Sequence, residues 1–234
     1  MASAAARPTI LLVPGAWHTP AHLAPLVAAL KQRDWLAEAY LLPCDGPNAA
    51  NWQSGDDVKG IHGRLEQLIE AEGKEVVLVG HSYAGAPTSQ SVKGFEKHER
   101  QAQGKSGGIV RYVIISAQID LPSFIRAEGI LLHPLPGVAQ HCYNDLPESE
   151  QEKWFAECVP HSALAPMNTA KNTCWDTNVP KTYIVALKDM MLPTAAQEAM
   201  LARVKDETWT VERLDSGHSP FLSQIEKCVE ILTR

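Results

Sequence analysis

The sequence is short of several things, and each shortage excludes a class of protein. It has five cysteines, Cys44, Cys142, Cys158, Cys174 and Cys228, an odd number with no CxxC pair among them. Neither a zinc site nor a disulfide framework is therefore expected, and a reducing, cytoplasmic setting fits. No run of about 18 apolar residues occurs, so no membrane span is expected. The stretch MASAAARPTILLVPGAW has one Arg, and its apolar run is cut short by Pro14 and Gly15. It reads as a core strand rather than a secretion signal. Basic residues are not in excess: the net charge is −6, which offers no basic face to a nucleic acid and chiefly implies solubility. Internal repeats and low-complexity tracts are missing too.

What is present is 234 residues, 45% of them apolar, enough for one sizeable core and read as a single domain. Short apolar strands are expected at Thr9–Val13, Leu36–Leu42, Glu75–Val79, Val110–Ser116, Tyr183–Leu187 and Trp209–Leu214. Between them, Pro20–Arg33 places Leu23, Leu26, Val27 and Leu30 at helical spacing. Asp56–Ala71 reads as an amphipathic helix that opens on two acids, which suit a helix N-terminus. A further helix begins near Tyr83, and Ser219–Leu232 closes the chain. GFEKHERQAQGKSGG is polar and glycine-rich and reads as an exposed connection. Strands that are apolar almost throughout, alternating with helices, predict an α/β fold: a mostly parallel sheet with helices on both faces. Residues 118–180 break the alternation and are expected to form an inserted helical cap, because long inserts in compact domains usually serve a site. Ser149–Glu157 looks helical. Trp154, Phe155, Met167 and Trp175 either line that cap or form its own small core.

The most informative stretch is VVLVGHSYAGAP at 76–87. A Gly-x-Ser-x-small sequence after a strand and before a helix is the pattern of a nucleophile elbow, whose tight turn needs small residues two positions either side of the serine. Gly80 and Ala84 occupy those positions, and the alanine departs from the usual glycine. The plainer reading makes Ser82 an N-cap. A serine hydroxyl needs a base, and the base an orienting acid. Of nine histidines, only His218, in DSGHSPF, lies after a late strand and ahead of a final helix. His81 adjoins Ser82 and is expected to pack or to line the site. His18 could touch substrate. Asp189 follows the strand YIVAL at a carboxyl end, where the functional groups of open α/β sheets collect. Asp120 competes with it, and Asp215 is expected to cap a turn. Two N–H donors must face the developing oxyanion. Tyr83 supplies one, and the loop VPGAWHTP supplies the other, from Ala16 or alternatively Trp17, whose indole could instead pack or line the pocket.

LLVPGAWHTP, VVLVGHSYAG, LKDMMLP and SGHSPF, in that order and spacing, resemble the small α/β-hydrolase-fold proteins, especially the compact esterases and hydroxynitrile lyases with a modest cap. The resemblance spans about Thr9 to Leu232. It implies a Ser82–Asp189–His218 triad beneath a cap, but not the reaction, since this fold hosts several chemistries. Cyanohydrin-cleaving relatives carry a lysine after the catalytic histidine; Ser219 stands here and lowers that reading. The expected activity is ester or lactone hydrolysis of a small, mostly apolar molecule, as in carboxylesterases, with no metal or organic cofactor. Trp17, His18, His81, Trp154 and Trp175 are the expected substrate contacts. The alternatives are a cyclase, dehydratase or lyase acting on a natural product, then a receptor-like binding protein. The expected partner is a small-molecule substrate, with no nucleic acid and no membrane, and an apolar face on the insert could pair two chains into a homodimer.

Overall fold

The computed structural model describes residues 7–119, 130–135, 137–167, 170–204 and 206–234. Along the chain β1 (Thr9–Val13) leads to α1 (Pro20–Gln32), β2 (Ala37–Ala39), α2 (Asp56–Leu65), β3 (Glu75–His81), α3 (Gly85–Gln90), α4 (Lys97–Ala102) and β4 (Gly108–Ile115). Then come β5 (Leu131–Leu132), α5 (Gly137–Cys142), α6 (Glu148–Ala156) and β6 (His161–Ser162). They are followed by β7 (Lys181–Ala186), α7 (Thr194–Leu201), β8 (Trp209–Leu214), α8 (Pro220–Ser223) and α9 (Ile225–Leu232). The main sheet runs β2-β1-β3-β4-β7-β8, and all its pairings are parallel.

The continuous apolar strands follow from burial on both faces. Successive side chains of a strand point to opposite faces. Accordingly Leu11, Val13, Val76 and Leu78 join one core cluster, with Ile61, Leu65, Leu68 and Tyr112. Ile10, Leu12, Val77 and Val79 join the other, with Leu23, Leu26, Leu30, Phe221 and Val229. Helix α1 is capped by Thr19, whose side chain accepts from Ala21 N–H while the His22 ring reaches back to the Thr19 backbone. No helix among the described residues is long and apolar enough to cross a membrane.

Four expectations need correction. GFEKHERQAQGKSGG is not merely an exposed connection, because it contains α4. Arg100 on that helix is buried. Its guanidinium pairs with Glu70 at 2.5 Å and donates to the carbonyl oxygens of Ser106 and Gly107 at 3.0 and 3.3 Å. A charge count does not detect a cation whose stem is buried and whose head is held by hydrogen bonds. Helix α2 stops at Leu65, and Glu66–Ala71 continues it in wider π-type turns. The closing helix is two helices, broken at Gln224 (φ −127°, ψ 43°). Finally, the insert holds strand after all: β5 and β6 form a short antiparallel pair.

Candidate active site

The sheet register brings the site together. Val13 pairs with Gly80 and His81 with Ile115, so the loops after β1, β3 and β4 leave the carboxyl edge at one level, where ligand sites of such sheets lie. Ser82 adopts a left-handed backbone (φ 52°), a conformation that costs a non-glycine residue about 1–3 kcal/mol and tends to persist at functional sites. Gly80 is required there: a Cβ would collide with the Thr88 hydroxyl and lie 3.1 Å from the Ala84 carbonyl oxygen. Ala84, the departure from the elbow pattern, is fully buried and its methyl is accommodated.

Ser82, His218 and Asp189 lie in one hydrogen-bonded line. The serine Oγ is 2.8 Å from His218 Nε2, and His218 Nδ1 is 2.8 Å from Asp189 Oδ2. Asp189 is held from behind. Its Oδ1 accepts the N–H groups of Met191 and Leu192, both at 2.8 Å, and its Oδ2 accepts Gln197 Nε2 at 3.2 Å. Gln197 is fully buried on α7 and was not anticipated. With its carboxylate partner at Nδ1, the imidazole carries the proton on that nitrogen and leaves Nε2 to accept from Ser82. Asp120 lies outside the described residues. Asp215 forms an exposed ion pair with Lys188 at 2.7 Å, not a turn cap through its side chain.

The two N–H groups expected to face an oxyanion are placed differently from the alternative. Trp17 has φ 65°, and its N–H donates to Asp45 Oδ1 at 2.9 Å. It is therefore already committed. The Ala16 N–H makes no hydrogen bond among the described residues. Tyr83 lies in the first turn after the elbow, where N–H groups have no partner within the helix.

A cavity of about 280 Å³ opens over Ser82. Ala16, Trp17, His18, Tyr83 and His218 line it, with Trp52, Val58, Pro87, Met191 and Leu192 among its apolar walls. From the insert come Gln118, Cys142, Ala165 and Pro166. Of the five expected substrate contacts, Trp17 and His18 reach the cavity. The other three do not. His81 is buried beside the elbow, where its Nδ1 accepts Gly15 N–H at 3.3 Å and its Nε2 donates to the His218 carbonyl at 3.0 Å. It ties the loop after β1 to the loop after β8. Trp154 packs with Cys142 and Tyr143 in the insert's own small core. Trp175 stacks on Trp209 at 4.9 Å. Phe155 packs on that same small core and Met167 is exposed, so these side chains turn inward or away rather than over the site.

Burial sets the charge states. It drives the His18 imidazole well below its ordinary range, helped by the neighbouring His22, and His81 likewise, helped by His218. Both are neutral bonded rings. His18 Nδ1 donates to the Ala16 carbonyl at 2.8 Å, and its Nε2 accepts the Tyr143 hydroxyl at 3.0 Å.

A second polar cluster under the same loops was not anticipated. Asp45 Oδ1 accepts His161 Nδ1 at 2.9 Å as well as Trp17 N–H. Asp57 accepts Cys44 N–H at 3.0 Å and the Tyr83 hydroxyl at 2.7 Å, and it lines the cavity. Burial raises its carboxyl pKa against those bonds. Donor atoms of Cys44, Asp45 and His161 all fall within 4.8 Å of one another. Asp45 Oδ1 is taken up by His161 Nδ1 and Trp17 N–H, and burial with the flanking Asp45 and Asp57 charges holds the Cys44 thiol well above the usual thiol range. The available signal was position alone: Asp45 follows β2, the strand beside β1, and so leaves the same sheet edge.

Comparisons with known proteins agree with this architecture. The protein named alpha/beta hydrolase nvfD of Aspergillus novofumigatus is 28% identical over 247 residues, covering 97% of this chain and 95% of that protein. Among solved structures, tomato methylketone synthase I complexed with 2-tridecanone superposes with a TM-score of 0.75 at 16% identity, over 97% and 96% of the two chains. The methylesterase MES16 of Arabidopsis superposes with a TM-score of 0.71 at 19% identity, over 97% of each chain. At these identities the structural likenesses concern the fold. The family model described as the alpha/beta hydrolase family matches residues 10–231, and the chain belongs to that family.

Proposed function

We propose that this chain is a serine hydrolase that cleaves an ester or lactone of a small, mostly apolar molecule through an acyl-enzyme. The observation that carries the reading is the unbroken line from Ser82 Oγ through His218 to Asp189, at 2.8 Å in each step, opening into a largely apolar cavity. His218 Nε2 takes the Ser82 proton as the hydroxyl oxygen attacks the carbonyl carbon. The Ala16 and Tyr83 N–H groups receive the oxyanion, and the commitment of Trp17 N–H to Asp45 favours Ala16 as the second donor. His218 returns the proton to the leaving alkoxide, then activates the water that releases the acid. Asp189 keeps the imidazole in the required tautomer and stabilises the imidazolium.

Intact mass after fluorophosphonate treatment tests this, on wild type and Ser82→Ala in parallel. One adduct on the wild type and none on the variant is expected, followed by turnover in a screen of short esters and lactones. A folded wild type that takes no adduct overturns the acyl-enzyme mechanism. A second reading, acid–base chemistry without an acyl-enzyme, is favoured by Asp57. This buried carboxyl on the cavity wall has no role in the hydrolytic cycle. It predicts turnover from which no acyl-enzyme can be trapped.

A further inference from the structure

Asn144 and Asp145 sit in the insert between α5 and α6, remote in sequence from both Asp189 and His218. Asn144 Nδ2 donates to the Lys188 carbonyl at 2.9 Å. Asp145 Oδ2 accepts Gly217 N–H at 2.7 Å. Lys188 immediately precedes Asp189, and Gly217 immediately precedes His218. Two adjacent side chains of the insert thus hold the two backbone positions from which the acid and the imidazole extend. The loops are also joined directly, Lys188 N–H donating to the Ser216 carbonyl at 2.8 Å.

The approach is close. A Cβ at position 217 would collide with Asn144 Oδ1 and lie 2.6 Å from Asp145 Oδ1. Gly217 has no positive φ; a side chain there would have to push aside the ends of the Asn144 and Asp145 side chains. The preceding residue continues the pattern, because the Tyr143 hydroxyl bonds His18 Nε2 at 3.0 Å and His18 in turn holds the Ala16 carbonyl.

We propose that Asn144 and Asp145 are positioning residues that clamp the acid loop and the histidine loop together, so that the insert sets the Asp189–His218–Ser82 alignment as well as covering it. This rests on the serine hydrolase reading. A displacement of about 1 Å in such an alignment can cost on the order of a hundredfold in rate. The clamp acts through hydrogen-bonding capacity rather than charge. Asn at 145 keeps an acceptor oxygen for Gly217 N–H. Asp at 144 is isosteric but loses the donor and turns an acceptor toward the Lys188 carbonyl.

The test is the second-order rate of fluorophosphonate labelling at Ser82, with thermal unfolding recorded for each protein. Asp145→Ala and Asn144→Asp should each label at least about fivefold more slowly than wild type, while Asp145→Asn stays within about twofold. Wild type that does not label removes the hydrolase reading itself. Wild type that labels, beside an Asn144→Asp that loses less than about fivefold, overturns the clamp alone. So does an Asp145→Asn as slow as Asp145→Ala, because that result would locate the effect in the charge. If Asp145→Ala does not fold, Asn144→Asp and Asp145→Asn still decide.

Discussion

Among the described residues, two buried Asp–His pairs look alike at close range and differ in what surrounds them. Asp189 and His218 meet at 2.8 Å, Asp45 and His161 at 2.9 Å, each through Nδ1 and each nearly sealed from solvent. The difference lies at the outer nitrogen. His218 Nε2 faces Ser82 Oγ, whereas His161 Nε2 is buried without a hydrogen-bond partner among the described residues. The carboxylates differ as well. Asp189 Oδ1 is fixed by two N–H groups of its own loop, while the Asp45 oxygen is shared between the imidazole and Trp17 N–H. An acid–imidazole pair therefore does not by itself define a base. The first pair extends to the Ser82 hydroxyl. The second joins the β5–β6 pair of the insert to the loop after β1 and shapes the loop that bears Ala16.

The largest effect should separate the pairs outright. Replacing the acid of a Ser-His-Asp triad by its amide costs about 10⁴-fold in kcat, through the wrong tautomer, and Asp189→Asn should fall by that order. Asp45→Ala acts only through the loop, and the upper bound is the loss of one oxyanion donor, about 10²–10³-fold. It should also destabilise the protein by about 1–3 kcal/mol, since it leaves buried donors unpaired. Steady-state kinetics with chemical denaturation measures both. Equal losses of kcat in the two variants would erase the distinction.

A buried histidine without a carboxylate sharpens the contrast through pH. His81 bonds only to backbone groups, and burial, then the neighbouring His218, depresses its pKa. The folded state thus binds the proton less well than the unfolded chain. Stability from this residue is fully present above the unfolded value of about 6.5 and is lost as pH falls below it, with a limiting slope of about 1.4 kcal/mol per pH unit. His18 adds the same sign. Denaturation midpoints between pH 7.5 and 5.5 should fall more steeply in wild type than in His81→Gln. Parallel slopes would mean that His81 is not neutral in the fold.

These pairs also show where residues announce their structure and where they do not. Thr9–Val13 has the bounds expected of it, because a β-branched, apolar run between turn residues has few other uses; Trp209–Leu214 has them too, although Glu212 and Arg213 interrupt its apolar residues. Gly80 was readable for a similar reason: the tight turn after β3 leaves no room for a Cβ there, whereas the left-handed backbone of Ser82 works against a serine. Asp45 and Asp57 were not. One sits in the turn-rich CDGPNAAN and the other at a helix start, and nothing local distinguishes a solvated acid from a buried one. Both are defined by partners far along the chain, Asp45 by His161 and Asp57 by Tyr83. The insert failed in the same way. Trp154 and Trp175 are large and apolar, as cavity walls are, but so is any small core, and only the tertiary packing decides between them.

The smallest effect concerns the acid nearest His218 in sequence. Asp215 lies three residues before it, yet its side chain is 71% exposed and pairs with a Lys188 that is 55% exposed. An ion pair in that setting contributes about 0–1 kcal/mol, because water screens the attraction and two long side chains lose freedom to make it. The backbone already joins the same loops through Lys188 N–H and the Ser216 carbonyl. Asp215→Ala should therefore keep labelling by fluorophosphonate within about twofold and shift stability by less than about 1 kcal/mol, an effect that 1 M salt reproduces in wild type. Distance along the chain and distance in the fold point to different acids here. A variant at 215 as damaged as Asp189→Asn would move the orienting role from the buried pair to the exposed one.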